Sequence, residues 1–316
     1  VAGLAIVIVS YNVRDLLRRC LQSIVDSVVD CPLEVYVVDN SSCDGSAELV
    51  RSEFPFVRLL ESSNRGYGAA NNLVLREIIS PSRPADTSCE FVLLLNPDTW
   101  LPPGSLQQML DFLRSHPKAG AVGPRLVRPD GQLDLACRRS FPTPEVALYR
   151  MLGLSRIFPR SRRFGRYNLT FLDPREVTEV DSVVGAFMLI RTEALRQAGV
   201  FDERFFMYGE DLDLAYRIKQ CGWKVLYNGK VDVLHYKGES SKQTRRRSLF
   251  EFYRAMLLFY RKHYAGSTRF PLSWMIVGGI YLRAALALGG DCLLELFRPR
   301  SRDRHAANTT FAEWPQ

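Results

Sequence analysis

The feature that most constrains the fold is an alternation in the first hundred residues. Four short, apolar, β-branched runs, Leu4 to Val9, Glu34 to Val38, Val57 to Leu60 and Phe91 to Leu95, are separated by amphipathic stretches. Their length and residue types suit buried strands. Between them Leu16, Leu17, Cys20, Leu21 and Ile24, then Ala47 to Val50, then Ala69 to Ile78, recur at helical spacing. Strand and helix alternating in this order specify an α/β fold: a mostly parallel sheet with right-handed crossovers, flanked by helices on both faces. Ligands bind such sheets beyond the carboxyl ends of the strands. Chemistry is therefore expected in Ser10-Tyr11-Asn12, Asp39-Asn40-Ser41, Ser62 to Arg65 and Asn96-Pro97-Asp98.

Further along, a helix is expected from about Pro103 to Ser115, then a strand at Ala119 to Val122 and a hairpin turn at Pro129-Asp130-Gly131. Residues 138–175, rich in Arg, Pro and aromatics, read as a mobile surface excursion. A strand from Val183 to Ile190, a helix from Glu210 to Gln220 and two short strands near Val225 and Val233 follow. Leu249, Phe252, Tyr253, Met256, Leu257 and Tyr260 then lie at helical spacing beside Arg254, Arg261 and Lys262, an amphipathic basic helix. Phe270 to Leu282 is uncharged but too short to span a bilayer, and Asp291 and Glu295 follow soon after, so an interfacial helical pair is expected. These readings divide the chain into residues 1–240 (halves 1–125 and 126–240), a C-terminal amphipathic helical extension (241–297), and a polar, disordered tail (298–316).

A net charge of +8 favours anionic partners without choosing among nucleotide phosphates, lipid headgroups and nucleic acid. Seven scattered cysteines with no CxxC pair argue against a disulfide framework or a zinc module and suit a reducing cytosol. The apolar opening has no basic leader or cleavage site, so it reads as the first core strand rather than a signal peptide.

The first strand runs into Ser10-Tyr11-Asn12 with no G-x-G-x-x-G, which disfavours a nicotinamide enzyme. Asp39 and Asn40 can accept from a base or ribose, or simply form a turn that caps the next helix. Asn64-Arg65-Gly66-Tyr67-Gly68 opens a helix and offers amides and a guanidinium to phosphate. Asn96-Pro97-Asp98 ends an apolar strand; its Asp98 carboxylate can hold a divalent cation on a diphosphate, or the segment is an ordinary turn. In Tyr208-Gly209-Glu210-Asp211-Leu212-Asp213, Asp213 and Arg217 form an i,i+4 ion pair. Asp211 shares a face with Leu214, Ala215 and Ile218, so it points inward, where it can take a proton or merely complement the helix dipole. His235 ends a late strand as either a structural residue or a metal ligand. Lys242 and Arg245 belong to a basic cluster suited to a pyrophosphate or to anionic lipid heads.

Taken in order, IVIVSYN, VVDNSS-DGS, NRGYGAANN, LLLNPDT, VVGAFMLIRTEAL, FDERFFMYGEDLDLAYR and LHYKGES resemble the inverting glycosyltransferases of family 2, of GT-A fold, and among them the bacterial rhamnosyltransferase-like members. The resemblance covers residues 4–265. It implies that Ser10, Asn12, Asp39, Asn40 and Arg65, with Gly66 and Asn96, surround the donor nucleotide. Lys242 and Arg245 would meet the diphosphate, Asp98 and His235 would hold Mg²⁺ or Mn²⁺, and Asp211 would be the catalytic base. Gly185, Ala186 and Phe187 would shape the sugar pocket, with Tyr208, Gly209 and Glu210 on the acceptor approach. Asn96 stands where the family's D-x-D motif has its first carboxylate, so the cation is expected to bind chiefly together with the diphosphate. The implied donor is deoxythymidine diphosphate rhamnose. The implied acceptor is a surface polysaccharide or lipid-linked glycan, met by peripheral contact at the cytoplasmic face of the plasma membrane, with no nucleic-acid partner. Two rivals remain: a sugar-nucleotide pyrophosphorylase, which has no use for an inward Asp211, and a non-catalytic basic membrane- or nucleic-acid-binding protein, which leaves the acidic motifs unexplained.

Overall fold

The computed structural model describes residues 3–84, 89–236 and 245–296. Its first half follows the alternation closely: β1 (Gly3–Ser10), α1 (Arg14–Val25), β2 (Leu33–Asp39), α2 (Ser46–Glu53), β3 (Arg58–Glu61), α3 (Tyr67–Ile79) and β4 (Cys89–Leu95). Every residue of β1 is buried, as expected of a central parallel strand covered on both faces. The α1 stripe Leu16, Leu17, Cys20, Leu21 and Ile24 is its buried face.

The remaining elements are β5 (Thr99–Trp100), α4 (Ser105–Ser115), β6 (Ala119–Val127), α5 (Pro144–Met151), α6 (Leu154–Ile157), β7 (Val177–Val180), β8 (Phe187–Arg191), α7 (Thr192–Ala198), α8 (Glu210–Gln220), β9 (Lys224–His235), α9 (Arg245–His263) and α10 (Leu272–Leu296). The nine-stranded sheet runs β3-β2-β1-β4-β8-β6-β9-β5, with β7 also on β9. Strands β3, β2, β1 and β4 are mutually parallel. Strand β8 enters antiparallel to both β4 and β6, so the second half is mixed. The pairing of Leu95 with Phe187 brings the end of β4 beside the start of β8, and the Asn96 amide donates to the Ala186 carbonyl at 3.0 Å.

Two expectations change. The strands near Val225 and Val233 are one strand, β9, whose register against β6 jumps from Pro124↔Asn228 to Arg125↔Asp232. The residues between them, Asn228-Gly229-Lys230, form a bulge; a Cβ on Gly229 would lie 2.5 Å from the Pro174 carbonyl oxygen, so only glycine fits that approach. Residues 138–175 are anchored rather than a loose excursion. Arg138 is almost wholly buried and donates to the carbonyls of Leu172 and Asp173 at 2.7 Å, closing the segment at its base, and α5 and α6 form within it.

Helix α9 adds Ala255 and Phe259 to the main core. It is locked to α8 through fully buried Asp213, which accepts from Arg217 Nε (2.9 Å), His263 Nε2 (2.7 Å) and Lys262 Nζ (2.6 Å). Burial alone would push this carboxyl up, but the bonds from His263 and Lys262 and the charge of Arg217 hold it below the usual carboxylate range. The Asp213–Arg217 pair is therefore part of a four-residue clamp, not an isolated surface pair.

Helix α10 runs on past Arg283 to 25 residues, longer than the uncharged stretch alone suggests. Leu272–Gly290 is long and apolar enough to cross a membrane by length and composition, and only 11% of it is buried. Its inner face nevertheless packs on α9 through Ile276, Ile280 and Tyr260, and Arg283 donates to the Met151 carbonyl. A mid-helix arginine docked on protein suits a helix lying along the domain better than one leaving it. The tail 298–316 lies outside the described residues.

Candidate active site

Ser10, Asp39, Asn96 and Asp98 follow or end adjacent strands at one edge of the sheet, where the alternation directs attention. On the nucleotide side, Ser10 is fully buried and its hydroxyl has no hydrogen-bond partner. One Asp39 oxygen accepts from the Ser42 amide at 2.9 Å, and the other is buried without a partner. The Asn40 amide group donates to Asn64, while its own oxygen is also unsatisfied. Asn12 adopts φ 51° and ties the second loop to the first, its Oδ1 accepting from the Cys43 amide at 2.8 Å. Three orphaned buried oxygens or hydroxyls at one strand end are costly unless something else supplies their partners.

The loop before α3 behaves differently from its phosphate reading. The Gly66 amide donates to Asn64 Oδ1 and the Tyr67 amide to the Phe206 carbonyl, so neither is offered to a ligand. Gly66 has φ 103°, and a Cβ there would sit 2.4 Å from the Phe206 oxygen; close backbone packing explains this glycine. The Arg65 side chain is largely exposed and lies 3.8 Å from Glu203.

Asp98 and His235 do come together. The His235 Nε2 lies 3.3 Å from Asp98 Oδ1, with both side chains buried. On its other side Nδ1 lies 3.0 Å from Asp134 Oδ2, a carboxylate absent from the sequence reading. Asp134 is fully buried at the start of a short 3₁₀ turn, Leu135–Cys137, where its other oxygen accepts from the Ala136 amide. Burial alone would lower the His235 pKa, but Asp134 and Asp98 outweigh it and push it up to about 9. A carboxylate–imidazole–carboxylate line is the arrangement that orients a metal-ligating histidine. Among the described residues no group of three or more His, Cys, Asp or Glu side chains is arranged to hold an ion. The donor set thus fits a hard divalent cation only as two protein ligands, and His235 would serve as one only after giving up its Nε2 proton.

Asp211 begins α8 and is 5% exposed. Its Oδ2 accepts from Arg139 Nη2 at 2.7 Å and from the Gly185 amide at 3.1 Å, and its Oδ1 from the Leu212 amide at 2.7 Å. Arg139, also buried, donates to the Val183 carbonyl at 3.0 Å as well. Gly209, at φ 80°, supplies the left-handed turn that starts the helix, and Tyr208, at φ 69°, packs edge-on against Phe252 of α9. Next door, Glu210 is 7% exposed with one carboxylate oxygen buried and unpartnered. Burial, then the charge of Asp211, raises its pKa to about 8, so it is largely protonated at neutral pH.

Of the acceptor-strand residues, Gly185 touches the site: its amide binds Asp211 and its carbonyl accepts from the Tyr67 hydroxyl at 3.1 Å. Phe187 is wholly buried in the core and Ala186 nearly so, so they support the site from behind instead of lining it. Tyr67 links the two halves. Burial raises its hydroxyl pKa first, and the charges of Glu210, Asp211 and Asp98 raise it further, so all three carboxylates share its field. Lys242 lies outside the described residues, as does the KGES portion of the last motif; Arg245 starts α9, but its side chain is not described.

Sequence reasoning missed Arg139 and Asp134. Arg139 sits in an arginine-rich stretch with no periodicity, and Asp134 follows a turn signal, so neither carried a local mark of burial.

The mixed sheet flanked by helices is that of a GT-A fold. The chain belongs to Glycosyl transferase family 2, whose pattern matches residues 5–199. Among curated relatives, it is 32% identical over 286 residues, 90% of this chain and 92% of the other, to N-acetylglucosaminyl-diphospho-decaprenol L-rhamnosyltransferase of Mycobacterium tuberculosis. It is 24% identical to rhamnosyltransferase WbbL of Escherichia coli, over 73% of this chain and 82% of that one. Among solved structures it shares its fold with mannosyltransferase PcManGT of Pyrobaculum calidifontis, in complex with GDP-Man and Mn²⁺ (TM-score 0.55, 18% identity, 94% of this chain and 81% of that). GalNAc-T7 with UDP, GalNAc and Mn²⁺ has the same TM-score, 0.55, at 14% identity, over 93% of this chain and 57% of that one.

Proposed function

We propose that this glycosyltransferase moves L-rhamnose from deoxythymidine diphosphate rhamnose to a hydroxyl of a lipid-linked glycan, with inversion at the anomeric carbon. The relatives' names support the rhamnosyl donor and, for the mycobacterial one, a diphospho-decaprenol acceptor. The observation that carries the mechanism is Asp211, buried at the start of α8 and held by Arg139 and the Gly185 amide, on the crevice that also holds Asp98.

Arg139 and Gly185 fix Oδ2, so Oδ1 keeps lone-pair capacity for the acceptor proton. As that proton passes to Asp211, the acceptor oxygen bonds to the anomeric carbon and the bond from that carbon to the diphosphate breaks, its electrons leaving with the nucleotide. Asp98 and His235 would hold a divalent cation, Mg²⁺ or Mn²⁺, which would supply positive charge to the diphosphate leaving group. Asp134 keeps the His235 ring oriented for that task. The unsatisfied oxygens at Ser10, Asp39 and Asn40 receive the base and ribose, with Asn12, Arg65 and Asn96 at the margin. A lipid-linked acceptor implies work at the cytoplasmic face of the plasma membrane, with α9 and α10 in peripheral contact.

The test is release of nucleoside diphosphate from a panel of nucleotide sugars, with and without divalent cation and a lipid-linked acceptor, comparing wild type with Asp211→Asn. Acceptor-stimulated, cation-dependent release from one donor, lost in a folded Asp211→Asn protein, is expected. Equal turnover in both proteins would remove Asp211 as base, and binding of no nucleotide sugar would remove the transferase reading.

A further inference from the structure

Between Val146 and Leu172 the chain carries six arginines, at 150, 156, 160, 162, 163 and 166, and no acidic residue. Between Phe252 and Gly290 it carries Arg254, Arg261, Lys262, Arg269 and Arg283, again with no acid. The fold puts these two stretches together. Arg283 of α10 donates to the Met151 carbonyl at the end of α5, and a Cβ on Gly279 would lie 2.9 Å from the Met151 sulfur, so α10 lies directly on α5.

Both partners leave large apolar side chains exposed. Leu152, Ile157 and Phe158 are 62%, 65% and 50% exposed; on α10, Trp274, Leu282 and Leu286 are 74%, 62% and 67% exposed. Isolated exposed apolar residues mean little, but two adjoining sets where basic residues outnumber acids mark an interaction surface; Glu145, the acid of α5, is paired with Arg163, and Asp291 and Glu295 lie in the last turns of α10. Some arginines are spent internally: Arg150 stacks on Tyr167 and Arg163 donates to the Tyr149 hydroxyl. Arg156, Arg160 and Arg162 are exposed, and no ion pair holds their guanidinium groups among the described residues.

We infer that the α5–α6 segment and the outer face of α10 form one docking surface for an anionic lipid bilayer. Aliphatic and Trp side chains enter the acyl boundary while the arginines meet headgroup phosphates, the chemistry of an interfacial amphipathic element. The base of the segment fixes what this achieves. Arg138 closes it, Ser140 donates to the Tyr167 carbonyl at 2.8 Å, and Arg139, between them, holds Asp211. Docking therefore presents the acceptor side of the crevice to the bilayer. The inference rests on the lipid-linked acceptor only for its purpose; vesicle binding is measured without any turnover.

The experiment is flotation of the full chain with vesicles of phosphatidylcholine alone or mixed with phosphatidylglycerol, comparing wild type with the triple variant Arg156→Gln, Arg160→Gln, Arg162→Gln. Each basic residue at an anionic surface contributes about fivefold to binding, so the triple variant should bind anionic vesicles about 100-fold more weakly. Binding to neutral vesicles should be unchanged, and the wild-type excess on anionic vesicles should fall with salt. A second variant, Ile157→Asp with Phe158→Asp, should lose binding to both vesicle types. Wild-type affinity for anionic vesicles in the folded triple variant would overturn the proposal. So would unchanged vesicle binding with a raised KM for a detergent-solubilised lipid-linked acceptor, which would assign the arginines to the acceptor's own diphosphate. Failure of rhamnosyl transfer with intact vesicle binding would sink the proposed function and leave this surface standing.

Discussion

Replacing Arg139 with methionine keeps most of the side-chain volume and removes the charge. The lost contacts are the 2.7 Å bond to Asp211 and the 3.0 Å bond to the Val183 carbonyl, both in a region closed to solvent. Removing one partner of a buried ion pair costs about 3–5 kcal/mol, because the other charge stays behind unpaired. In a chain of this size that lowers Tm by about 5–8 °C. The same change strips the Glu210–Asp211 pair of its adjacent cation, so the acid limb of the kcat/KM profile should move to higher pH. Arg139→Lys should recover part of the stability and less of the profile, since one ammonium cannot span Asp211 and Val183 as a planar fork does. Thermal denaturation and a pH–rate series measure both. A methionine variant that melts within a degree or two of wild type with an unmoved acid limb would show that Arg139 neither pairs with Asp211 in solution nor sets its working state.

Glu210→Gln tests the neighbouring carboxyl. Its folded pKa of about 8 lies above the ordinary glutamate value of 4.5, so between these pH values the folded chain holds a proton that the unfolded chain has released, and its contribution to stability falls as pH rises through that window. The variant should gain on wild type from pH 5 to 8 by up to about 4 kcal/mol; a pH-independent difference in Tm would refute the shift. Asp134→Asn should raise the Mn²⁺ concentration needed for half-maximal transfer about 10- to 100-fold, and an unchanged requirement would mean that His235 needs no orienting partner. Asp213→Ala removes the anchor of Arg217, Lys262 and His263 and should cost about 3–5 kcal/mol in urea denaturation; a loss under 1 kcal/mol would show that α9 is held by its apolar face alone.

The parallel half of the sheet was legible because local pattern and tertiary role agree there. Strands β1 and β4 are apolar throughout since helices cover both faces, and α1 carries its core stripe in its spacing. Beyond β6 that agreement fails. Asn228-Gly229-Lys230 has the chemistry of a turn and serves as a bulge, and the antiparallel entry of β8 follows from where its neighbours already lie. The short uncharged run at Phe270 to Leu282 understated α10, because a docked Arg283 lets the helix continue through a charge.

The site divides along the same line. Asp98, Asp211 and His235 stood out locally because Asp98 follows an apolar strand, His235 ends one and Asp211 lies at the start of a helix. Arg139 and Asp134 could not be seen that way: each acts on a residue 72 or 101 positions distant in the chain, and no local pattern encodes a partner so far off. Their burial nevertheless follows from the residues that were legible. A buried Asp211 requires a cation beside it, and a histidine between two carboxylates must carry a proton until something replaces it. With +8 net charge and an arginine-rich excursion in hand, the sequence already contained the cation that Asp211 demands. What it lacked was the closure at Arg138 that turns one end of that excursion inward, while the exposed arginines farther along it stay at the surface.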